Sequence, residues 1–466
     1  MTLATADQTE LRSALVAVVG AAHVRAAGPD HGAGLLVLPA STAEVAAVVA
    51  LCAGRDISLV PQGGQTGLVG GCQSQPGQVV LSLTRMAQIE AIYPLERVAV
   101  VQAGVTLEAL QSAALTYGLE PGIDLAARGT ATMGGMVSTN AGGIMAHRYG
   151  VMRHRVLGLE AVLPDGTIYS DMTRVVKNTA GYDLKHLFIG AEGTLGIVTR
   201  VVIKLEPVPA VTATVMLGLP SVTAALEAIT LAMRSETGYL RAAEGLWQSY
   251  IQLTAGAQGW SEPSFPLDPP ICLILMLGGG DQSALHESIE QIFAAVLDRY
   301  PSATGIVAAS KRQEADLWRL REDTDQLYRA HAAAPSYDVS VPLSEIAGYV
   351  DHVRRGLAGI DGGIAPYVFG HLADGNLHIV LNRPGPLNAT LSSAIEQVLY
   401  PPLSCMGGSF SAEHGVGAKR IAALVATTDT GKLRLMMQVK AALDPAALMN
   451  PGKVLPPQPK VSEDHP

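Results

Sequence analysis

Two histidines flank a tight turn in the segment 371-HLADGNLH-378, and their spacing is suited to holding a metal ion. The Asp-Gly-Asn sequence between them favours a chain reversal that would point His371 and His378 at one spot. Glu413, in 411-SAEHGVGAKR-420, would complete a His/His/carboxylate set with open coordination positions, here called the metal set. A single histidine is more often a satisfied core residue than a ligand. The combination of the three residues favours a divalent metal.

A first glycine-rich segment, 61-PQGGQTG-67, follows a predicted strand at 57–61 and could wrap a phosphate group. Its backbone N–H groups carry little side-chain bulk, so the loop can curl into an anion-binding nest. It is not a Walker A loop, because no Lys-Ser/Thr pair follows. No G-x-G-x-x-G motif opens a helix, which disfavours a Rossmann NAD site. Taken alone, a flexible surface loop explains this segment equally well.

Two further segments of the same character favour a ligand site. The segment 130-TATMGGMVSTNAGG-143 mixes small residues with hydroxyls and an amide, so its backbone can approach a flat polar ligand closely. The segment 190-GAEGTLGIV-198 repeats this chemistry before a predicted strand. Three such cradles in one domain are hard to explain as surface loops.

In order and content, the three segments resemble the FAD-binding domain of the vanillyl-alcohol-oxidase type, which binds FAD without a Rossmann fold. The resemblance to its D-lactate, glycolate and D-2-hydroxyglutarate dehydrogenase branch extends along nearly the whole chain. It implies a non-covalent FAD, because Gln65 stands where covalently linked relatives often carry a histidine. The residues that the resemblance implies in FAD binding are Pro61, Gly63, Gly64, Gln65, Thr66, Gly67, Gly70, Thr132, Met133, Gly134, Ser138, Asn140, Gly143, Glu192, Gly193, Gly196, Ile197, Val198 and Asn450.

The same resemblance implies roles for polar residues outside these segments. The metal set would hold zinc, with manganese or iron as alternatives, and the metal would bind the carboxylate and hydroxyl oxygens of a substrate. His414 would remove the hydroxyl proton; a third metal ligand or a structural histidine are the alternatives. Arg321, on a predicted helix, would pair with the substrate carboxylate, and Arg319 is the competing candidate.

Three positions depart from the D-2-hydroxyglutarate pattern. That branch has a threonine four residues after the arginine and a lysine just before its Tyr-Asp stretch, where this chain has Asp325 and Ser336. Val380 replaces an expected polar residue. The lysine would neutralise a distal carboxylate, and a carboxylate at position 325 could repel one. We therefore expect a small substrate such as D-lactate rather than D-2-hydroxyglutarate.

Bulk composition limits the partners and the compartment. The chain carries 32 Lys and Arg against 41 Asp and Glu, a net charge of −9, so no nucleic-acid partner is expected. Its four cysteines lack a CxxC spacing, which predicts buried, reduced thiols. The N-terminus lacks a signal-peptide pattern, and apolar runs such as 271–277 are too short to span a membrane. These features predict a cytoplasmic protein.

The predicted architecture is α+β, because strands and helices follow one another in mixed rather than alternating order. We expect an FAD-binding domain at 1–208, a substrate or cap domain at 209–420 that carries the metal set, and a C-terminal helical segment at 421–466. That segment would pack back on the FAD domain and end in a disordered tail at 456–466. The predicted elements are strands at 35–39, 57–61, 78–83, 98–103, 159–164, 167–171, 212–218, 271–277 and 303–308, and helices beginning after Ser41 and at 106–118, 221–234, 283–299 and 311–330. Ser41 and Glu44 predict a capping box for the first of these helices, and the strands on either side of Asp165–Gly166 are predicted to form a hairpin.

The function that these features predict is that of an FAD-dependent dehydrogenase. It would oxidise a D-2-hydroxy acid to the 2-oxo acid by metal-assisted proton abstraction and hydride transfer to flavin N5. The reduced flavin would pass electrons to a quinone, a cytochrome or an electron-transfer flavoprotein, and peripheral membrane contact and a homodimer are further expectations. Two alternatives are an oxidase of the same fold that uses O₂ and a non-catalytic protein that binds flavin or metal.

Overall fold

The computed structural model describes residues 5–28, 31, 32, 34–260, 265 and 267–457, so the tail predicted at 456–466 lies mostly outside the described residues. The chain forms two compact units. The first comprises the described parts of 1–142, 149–208 and 413–466, and the second comprises 143–148 and 209–412. Residues 413–420, which the sequence prediction assigned to the substrate domain, therefore belong to the first unit.

The first unit contains two main sheets with helices around them. The elements up to residue 207 are α1 Thr5–Val19, β1 Val24–Ala26, β2 Leu35–Val37, α2 Thr42–Ala53, β3 Leu59–Gln62, β4 Val79–Ser82, β5 Ile89–Tyr93, β6 Val98–Gln102, α3 Leu107–Leu115, β7 Leu119–Glu120, α4 Met133–Thr139, α5 Ala146–Tyr149, α6 Met152–Arg155, β8 Val156–Val162, β9 Ile168–Asp171, β10 Ile197–Lys204 and β11 Glu206–Pro207. Of these elements, α5 lies mostly in the second unit.

A small sheet with the strand order β1-β2-β4-β3 opens the first unit. Strands β2, β4 and β3 run parallel, and β1 is antiparallel to β2. The predicted capping box of α2 is present in part: Ser41 Oγ accepts from the N–H of Glu44 at 3.2 Å, whereas Glu44 Oε2 accepts at 2.8 Å from the N–H of Ala40, the residue before the N-cap. The buried face of α2 shares an apolar core with residues of β3 and β4, and the first glycine-rich segment begins at the end of β3.

A five-stranded antiparallel sheet with the order β5-β6-β10-β8-β9 follows. The predicted hairpin of β8 and β9 around Asp165–Gly166 is present. Helices α3 and α4 pack on one face of this sheet in a shared apolar core. The second glycine-rich segment contains α4, and the third leads directly into β10.

The second unit is built on a seven-stranded antiparallel sheet with the order β15-β12-β14-β13-β17-β18-β16. Its elements are β12 Val211–Leu219, α7 Val222–Met233, β13 Gly238–Trp247, α8 Gln248–Ala257, β14 Ile271–Gly279, α9 Gln282–Arg299, β15 Thr304–Val307, α10 Lys311–Glu322, α11 Asp325–Ala330, β16 Ser336–Ser340, α12 Ile346–Ile360, β17 Pro366–His371, β18 Asn376–Leu381, α13 Ala389–Leu399 and α14 Pro401–Met406.

The structure has several elements in this unit that were not predicted, among them α8, β16, α12, α13 and α14, and two further differences concern the elements around the site. The single helix predicted at 311–330 is wrong, because Asp323 leaves helical geometry at φ −78° and ψ 61° and separates α10 from α11. Its carboxylate accepts from the Gln326 side chain at 2.7 Å, a local bond of the kind that competes with helix continuation. Strand β13 was not predicted. Its residues 238-GYLRAAEGLW-247 are small or polar at many positions and buried on both faces, so they show no alternation.

One face of the large sheet carries the chemistry. Successive side chains of a strand alternate between faces, and the register pairs Glu244 with His371, Phe369 with His378, and Asp338 with His378. Helices α8, α10 and α11 cover this face in a shared core with Phe369. The polar side chains therefore lie at the edge of the buried apolar core that these helices form on the sheet.

The C-terminal elements α15 Ile421–Thr427 and α16 Thr430–Leu443 belong to the first unit. Beyond them, Leu59 of β3 donates to Leu448 O at 2.8 Å and accepts from the Asn450 N–H at 2.8 Å. The segment after α16, residues 444–457, is called the closing segment. It extends the first small sheet by a short parallel bridge between Leu59 and Met449. Among the described residues, no helix is long and apolar enough to cross a membrane.

Candidate functional site

The first unit contains a cavity of about 960 Å³, including space open to solvent, which all three glycine-rich segments line. Residues far apart in sequence therefore meet around one space. The predicted FAD-binding residues that line it are Pro61, Gly63, Gly64, Gln65, Thr66, Gly67, Thr132, Gly134, Ser138, Glu192, Gly193, Gly196, Ile197 and Val198, and the predicted base His414 lines it too.

The backbone of the first segment passes so close to the second that only glycine fits. A Cβ on Gly64 would lie 1.9 Å from Thr130 O, and one on Gly63 would lie 2.2 Å from Thr132 Oγ1. The Thr132 Oγ1 atom is buried and has no hydrogen-bond partner among the described residues. A buried hydroxyl of this kind is normally satisfied, so its place in the cavity wall fits a polar ligand. These features fit FAD.

Five predicted FAD residues lie outside the cavity lining. Met133 is fully buried in the core, and Gly143 belongs to the second unit. Asn140 ends α4 in the left-handed region with φ 53°, and its Oδ1 accepts from the Arg153 N–H at 2.9 Å. The remaining two are Gly70 and Asn450.

Asn450 does not line the cavity but bonds to two residues that do. Its Nδ2 donates to Gly71 O at 3.0 Å and to Glu192 O at 2.8 Å, and both of these residues line the cavity. The closing segment therefore holds two walls of the cavity together. Val69 and Gly135, which the resemblance also implies, line the cavity as well, and the lining residues that the prediction missed are Gln62, Gly71, Cys72, Leu83, Leu125, Ala131, Met136, Thr139 and Ala141. Most of them lie next to predicted residues in the sequence, and this proximity could have identified them. Leu83 and Leu125 lie far from every predicted residue, so nothing in the local sequence indicated them.

Glu192 explains why His414 lies at the cavity. Its buried carboxylate accepts from the N–H groups of Val416 at 2.7 Å and Gly417 at 2.9 Å, and so fixes the chain just after His414. Burial raises the pKa of the Glu192 carboxyl, although the two N–H donors act in the opposite direction. Glu413, the predicted carboxylate ligand, begins this segment, and its Oε1 lies 3.1 Å from where a Cβ on Gly142 would be.

In the second unit, the predicted turn between the two histidines is present as the β17–β18 hairpin. Gly375 has φ 77°, and a Cβ on it would lie 2.0 Å from Val341 O, so the turn requires glycine. The ring centroids of His371 and His378 are 5.4 Å apart with the planes at 85°. The structure brings these two predicted ligands together.

A buried carboxylate lies behind each histidine, and the sequence prediction missed both. Glu244 Oε1 is 2.6 Å from His371 Nδ1, and Asp338 Oδ1 is 3.4 Å from His378 Nδ1. Both carboxylates are fully buried. Burial lowers the pKa of His378 to about 4, although Asp338 acts in the opposite direction, so the ring is neutral at physiological pH. Metal-binding histidines are commonly oriented in this way.

Arg321 belongs to the same cluster. Its Nε donates to Glu244 Oε2 at 2.6 Å, and its guanidinium carbon lies 4.8 Å from the centroid of the Phe369 ring. Burial acts to raise the pKa of the Glu244 carboxyl, but His371 and Arg321 outweigh it and bring that pKa down to about 2. The competing candidate Arg319 has its side chain 55% exposed and pairs with Asp316. The structure thus separates a buried arginine from a solvated one.

The three positions that depart from the D-2-hydroxyglutarate pattern differ in burial. Asp325 is exposed at the start of α11. Ser336 is half-buried in β16, directly opposite Val380 in β18. Val380 is buried and packs in the apolar core of this face. Ser336 therefore has an apolar neighbour, Val380, directly across the strand pair.

The fold defines the class. Solved structures similar to this chain are p-cresol methylhydroxylase, with 17% identity and a TM-score of 0.74, and 4-ethylphenol oxidase from Gulosibacter chungangensis, with 20% identity and a TM-score of 0.72. Each likeness covers 97% of both chains. The fold is that of the vanillyl-alcohol-oxidase-type flavoproteins, as predicted.

Sequence comparison narrows the class to a family. The chain matches the model of the FAD binding domain over residues 33–171 and that of FAD linked oxidases, C-terminal domain, over residues 208–454. It is 35% identical to the mitochondrial D-2-hydroxyglutarate dehydrogenase of Bos taurus over 91% of this chain and 77% of that protein. It is also 35% identical to the D-2-hydroxyglutarate dehydrogenase of Xanthomonas citri pv. viticola, over 90% and 88%. The chain belongs to the FAD-linked D-2-hydroxyacid dehydrogenase family and is an oxidoreductase that acts on CH–OH groups.

Proposed function

We propose that this protein oxidises a small D-2-hydroxy acid, such as D-lactate, to the 2-oxo acid, with FAD as the hydride acceptor and with a divalent metal. The observation that carries the proposal is the buried cluster of the second unit. There, His371 and His378 each have a carboxylate behind Nδ1, and Arg321 lies beside them. A pair of imidazoles next to a buried guanidinium is suited to holding a metal and the hydroxyl and carboxylate oxygens of such a substrate.

The metal is proposed to bind to His371, His378 and Glu413, with zinc favoured over manganese or iron. The carboxylates of Glu244 and Asp338 support this, because a partner at Nδ1 selects Nε2 as the metal-binding nitrogen. The neutral state of His378 also favours metal binding, since a protonated ring cannot be a ligand. When bound, the metal would polarise the substrate hydroxyl. Glu413 as the third ligand rests on sequence spacing.

Two residues of the chain would act on the substrate itself. Arg321 would bind the substrate carboxylate, and its stacking on Phe369 and its bond to Glu244 would hold the guanidinium in one orientation. His414, held at the cavity by the segment that Glu192 fixes, would accept the hydroxyl proton. When bound, FAD supplies the acceptor for the hydride of the substrate α-carbon.

The two candidate substrates differ in a second carboxylate. The relatives compared above are named as D-2-hydroxyglutarate dehydrogenases, which supports D-2-hydroxyglutarate. Against it, Ser336 and Asp325 supply no cation for a distal carboxylate, and Val380 is apolar. A buried carboxylate without a cation is strongly disfavoured, so these residues support a monocarboxylate.

The electron acceptor is proposed to be a quinone, a cytochrome or an electron-transfer flavoprotein rather than O₂. Peroxide measured during aerobic turnover separates this proposal from an oxidase. If peroxide forms in proportion to the oxidised substrate without an added acceptor, the protein is an oxidase.

The substrate proposal is tested by anaerobic bleaching of the flavin near 450 nm with D- and L-2-hydroxy acids, with and without a chelator. We expect D-lactate to bleach it faster than D-2-hydroxyglutarate and the L-isomers, and we expect metal removal to slow bleaching. Faster bleaching by D-2-hydroxyglutarate would reverse the substrate preference. Unchanged bleaching after verified metal removal would reject the metal.

A further inference from the structure

We propose that Glu244 is a positioning residue that controls both metal binding, through His371, and substrate carboxylate binding, through Arg321. The inference rests on the proposed function and deepens it. One buried side chain would then join the two groups that hold a 2-hydroxy acid, so that neither could move without the other.

The geometry leaves Glu244 little freedom. It lies in β13 directly opposite His371 in β17, and its side chain has no exposed surface. Its two oxygens are divided between two partners, with Oε1 at 2.6 Å from His371 Nδ1 and Oε2 at 2.6 Å from Arg321 Nε. Because a carboxylate is planar and rigid, its two bonds fix the imidazole and the guanidinium relative to each other.

The surroundings of Arg321 strengthen this arrangement. Phe369 stacks against the guanidinium and also lies 5.1 Å from His378, measured between ring centroids. Tyr250 donates to the main-chain oxygen of Arg321 at 2.8 Å and stacks on Phe369. The arginine backbone and side chain are thus both held, and the bond to Glu244 decides how the guanidinium is turned.

Asp338 provides a matched comparison. It is equally buried, lies opposite His378, and accepts from Asn376 Nδ2 at 2.7 Å. It therefore orients one histidine as Glu244 does, whereas the arginine bonds to Glu244. If Glu244 joins the two functions, its loss should affect both, and loss of Asp338 should affect mainly the metal.

The experiment measures two equilibria in the FAD-loaded protein with Glu244→Gln, Asp338→Asn and Arg321→Lys. Zinc affinity is measured by competition with a chromophoric chelator. Binding of 2-hydroxyisobutyrate, which keeps the carboxylate and hydroxyl but has no α-hydrogen, is measured by calorimetry at saturating zinc. Tyr349→Phe, which removes a buried hydrogen bond from α12 to Leu399 O and touches neither carboxylate nor Arg321, is the control for a general loss of stability.

We expect Glu244→Gln to weaken zinc about 10- to 100-fold and 2-hydroxyisobutyrate about tenfold. Asp338→Asn should weaken zinc to a similar extent and change anion binding less than about threefold. Arg321→Lys should weaken the anion and, because Glu244 loses its guanidinium partner, also weaken zinc severalfold. This variant keeps the proposal testable if Glu244→Gln does not fold.

The proposal is overturned if Glu244→Gln changes only one of the two affinities, or if Arg321→Lys leaves zinc binding unchanged. Tyr349→Phe weakening both as much as Glu244→Gln would also overturn it, because the effect would then be a general loss of stability. Neither measurement requires turnover. A wild-type protein that binds zinc and 2-hydroxyisobutyrate but oxidises no hydroxy acid would reject the proposed function and leave the role of Glu244 supported.

Discussion

Ser336 in β16 lies directly opposite Val380 in β18, one residue pair along the same sheet face from Asp338 and His378. This pair occupies the positions where the D-2-hydroxyglutarate pattern has a lysine and a polar residue. A side chain at position 336 is therefore close in the sheet to the predicted metal-binding histidines. Whether the side chain at this position is charged or neutral could therefore decide between substrates with one and with two carboxylates.

Ser336→Lys should shift the preference toward D-2-hydroxyglutarate. A charge-assisted hydrogen bond is worth about 1.5–3 kcal/mol, so we expect kcat/KM for D-2-hydroxyglutarate relative to D-lactate to rise about 10- to 100-fold. Ser336→Met supplies similar length without charge and should leave the ratio near that of the wild type. Equal ratios for the lysine and methionine variants would contradict the specificity role of this position.

His414→Gln should keep the flavin and lose the chemistry. His414 lines the cavity, and a positioned base contributes about 10²–10⁴-fold in rate. We expect the rate of anaerobic flavin reduction by substrate to fall within this range, while the FAD content stays unchanged. Single-turnover stopped-flow absorbance measures the rate. A reduction rate within about threefold of the wild type would remove His414 from the role of base.

The first glycine-rich segment offers a matched pair of substitutions. Gly64→Ala would place a Cβ 1.9 Å from Thr130 O, whereas no atom lies within 4 Å of a Cβ on Gly67. We expect Gly64→Ala to weaken FAD binding by at least about tenfold, because the loop must move, and Gly67→Ala to weaken it less. Fluorescence titration of the apoprotein with FAD measures both affinities. Equal affinities would show that the close approach is not needed.

Thiol reactivity should report the flavin site. Burial raises the pKa of Cys52 and of Cys272 to about 12, so at pH 8 both are protonated and should react with DTNB only on unfolding. Cys405 is exposed and should react first, which corrects the prediction that all four thiols are buried. Burial and the nearby Glu192 also raise the pKa of Cys72, so we expect it to react more slowly than Cys405 in the apoprotein, and because it lines the cavity, bound FAD should slow it further. Equal Cys72 reactivity with and without FAD would place the flavin elsewhere.

We expect Lys440 to hold the closing segment, residues 444–457, in place and so to stabilise the folded protein. Its Nζ donates to Thr194 O at 2.7 Å and to Met449 O at 3.0 Å, and it pairs with the buried Asp444 at 2.5 Å. Breaking a buried pair from one side typically costs about 3–5 kcal/mol, so Lys440→Met should lower the free energy of unfolding by that order. Lys432→Met, at an exposed position of the same helix, is the control.

Adding Asp444→Asn to Lys440→Met should recover part of the lost stability, because the second change removes the unpaired buried charge. Urea unfolding followed by circular dichroism measures all four proteins. If Lys440→Met and Lys432→Met behave alike, the ion pair does not fasten the segment.

Features that depend on local sequence were predictable. The Ser41 cap of α2, the β8–β9 hairpin and the turn between His371 and His378 all follow from residues within a few positions of one another. The break between α10 and α11 was not predicted, because the helical pattern continues across it and a single aspartate, Asp323, ends the first helix. Strand β13 was missed because burial on both faces removes the alternation that marks a strand.

The sequence by itself determined which chemical groups are present: three glycine-rich segments, two histidines around a turn, and two candidate arginines, Arg319 and Arg321, for binding the substrate carboxylate. Only the tertiary structure decided that Arg321 is buried and Arg319 solvated, and that Glu244 and Asp338 stand behind the histidines. Glu244 is 77 residues from Arg321 and 127 from His371, so the pairing comes from strand register and helix packing. Such long-range contacts are absent from any local pattern, because they depend on which strands become neighbours in the folded sheet.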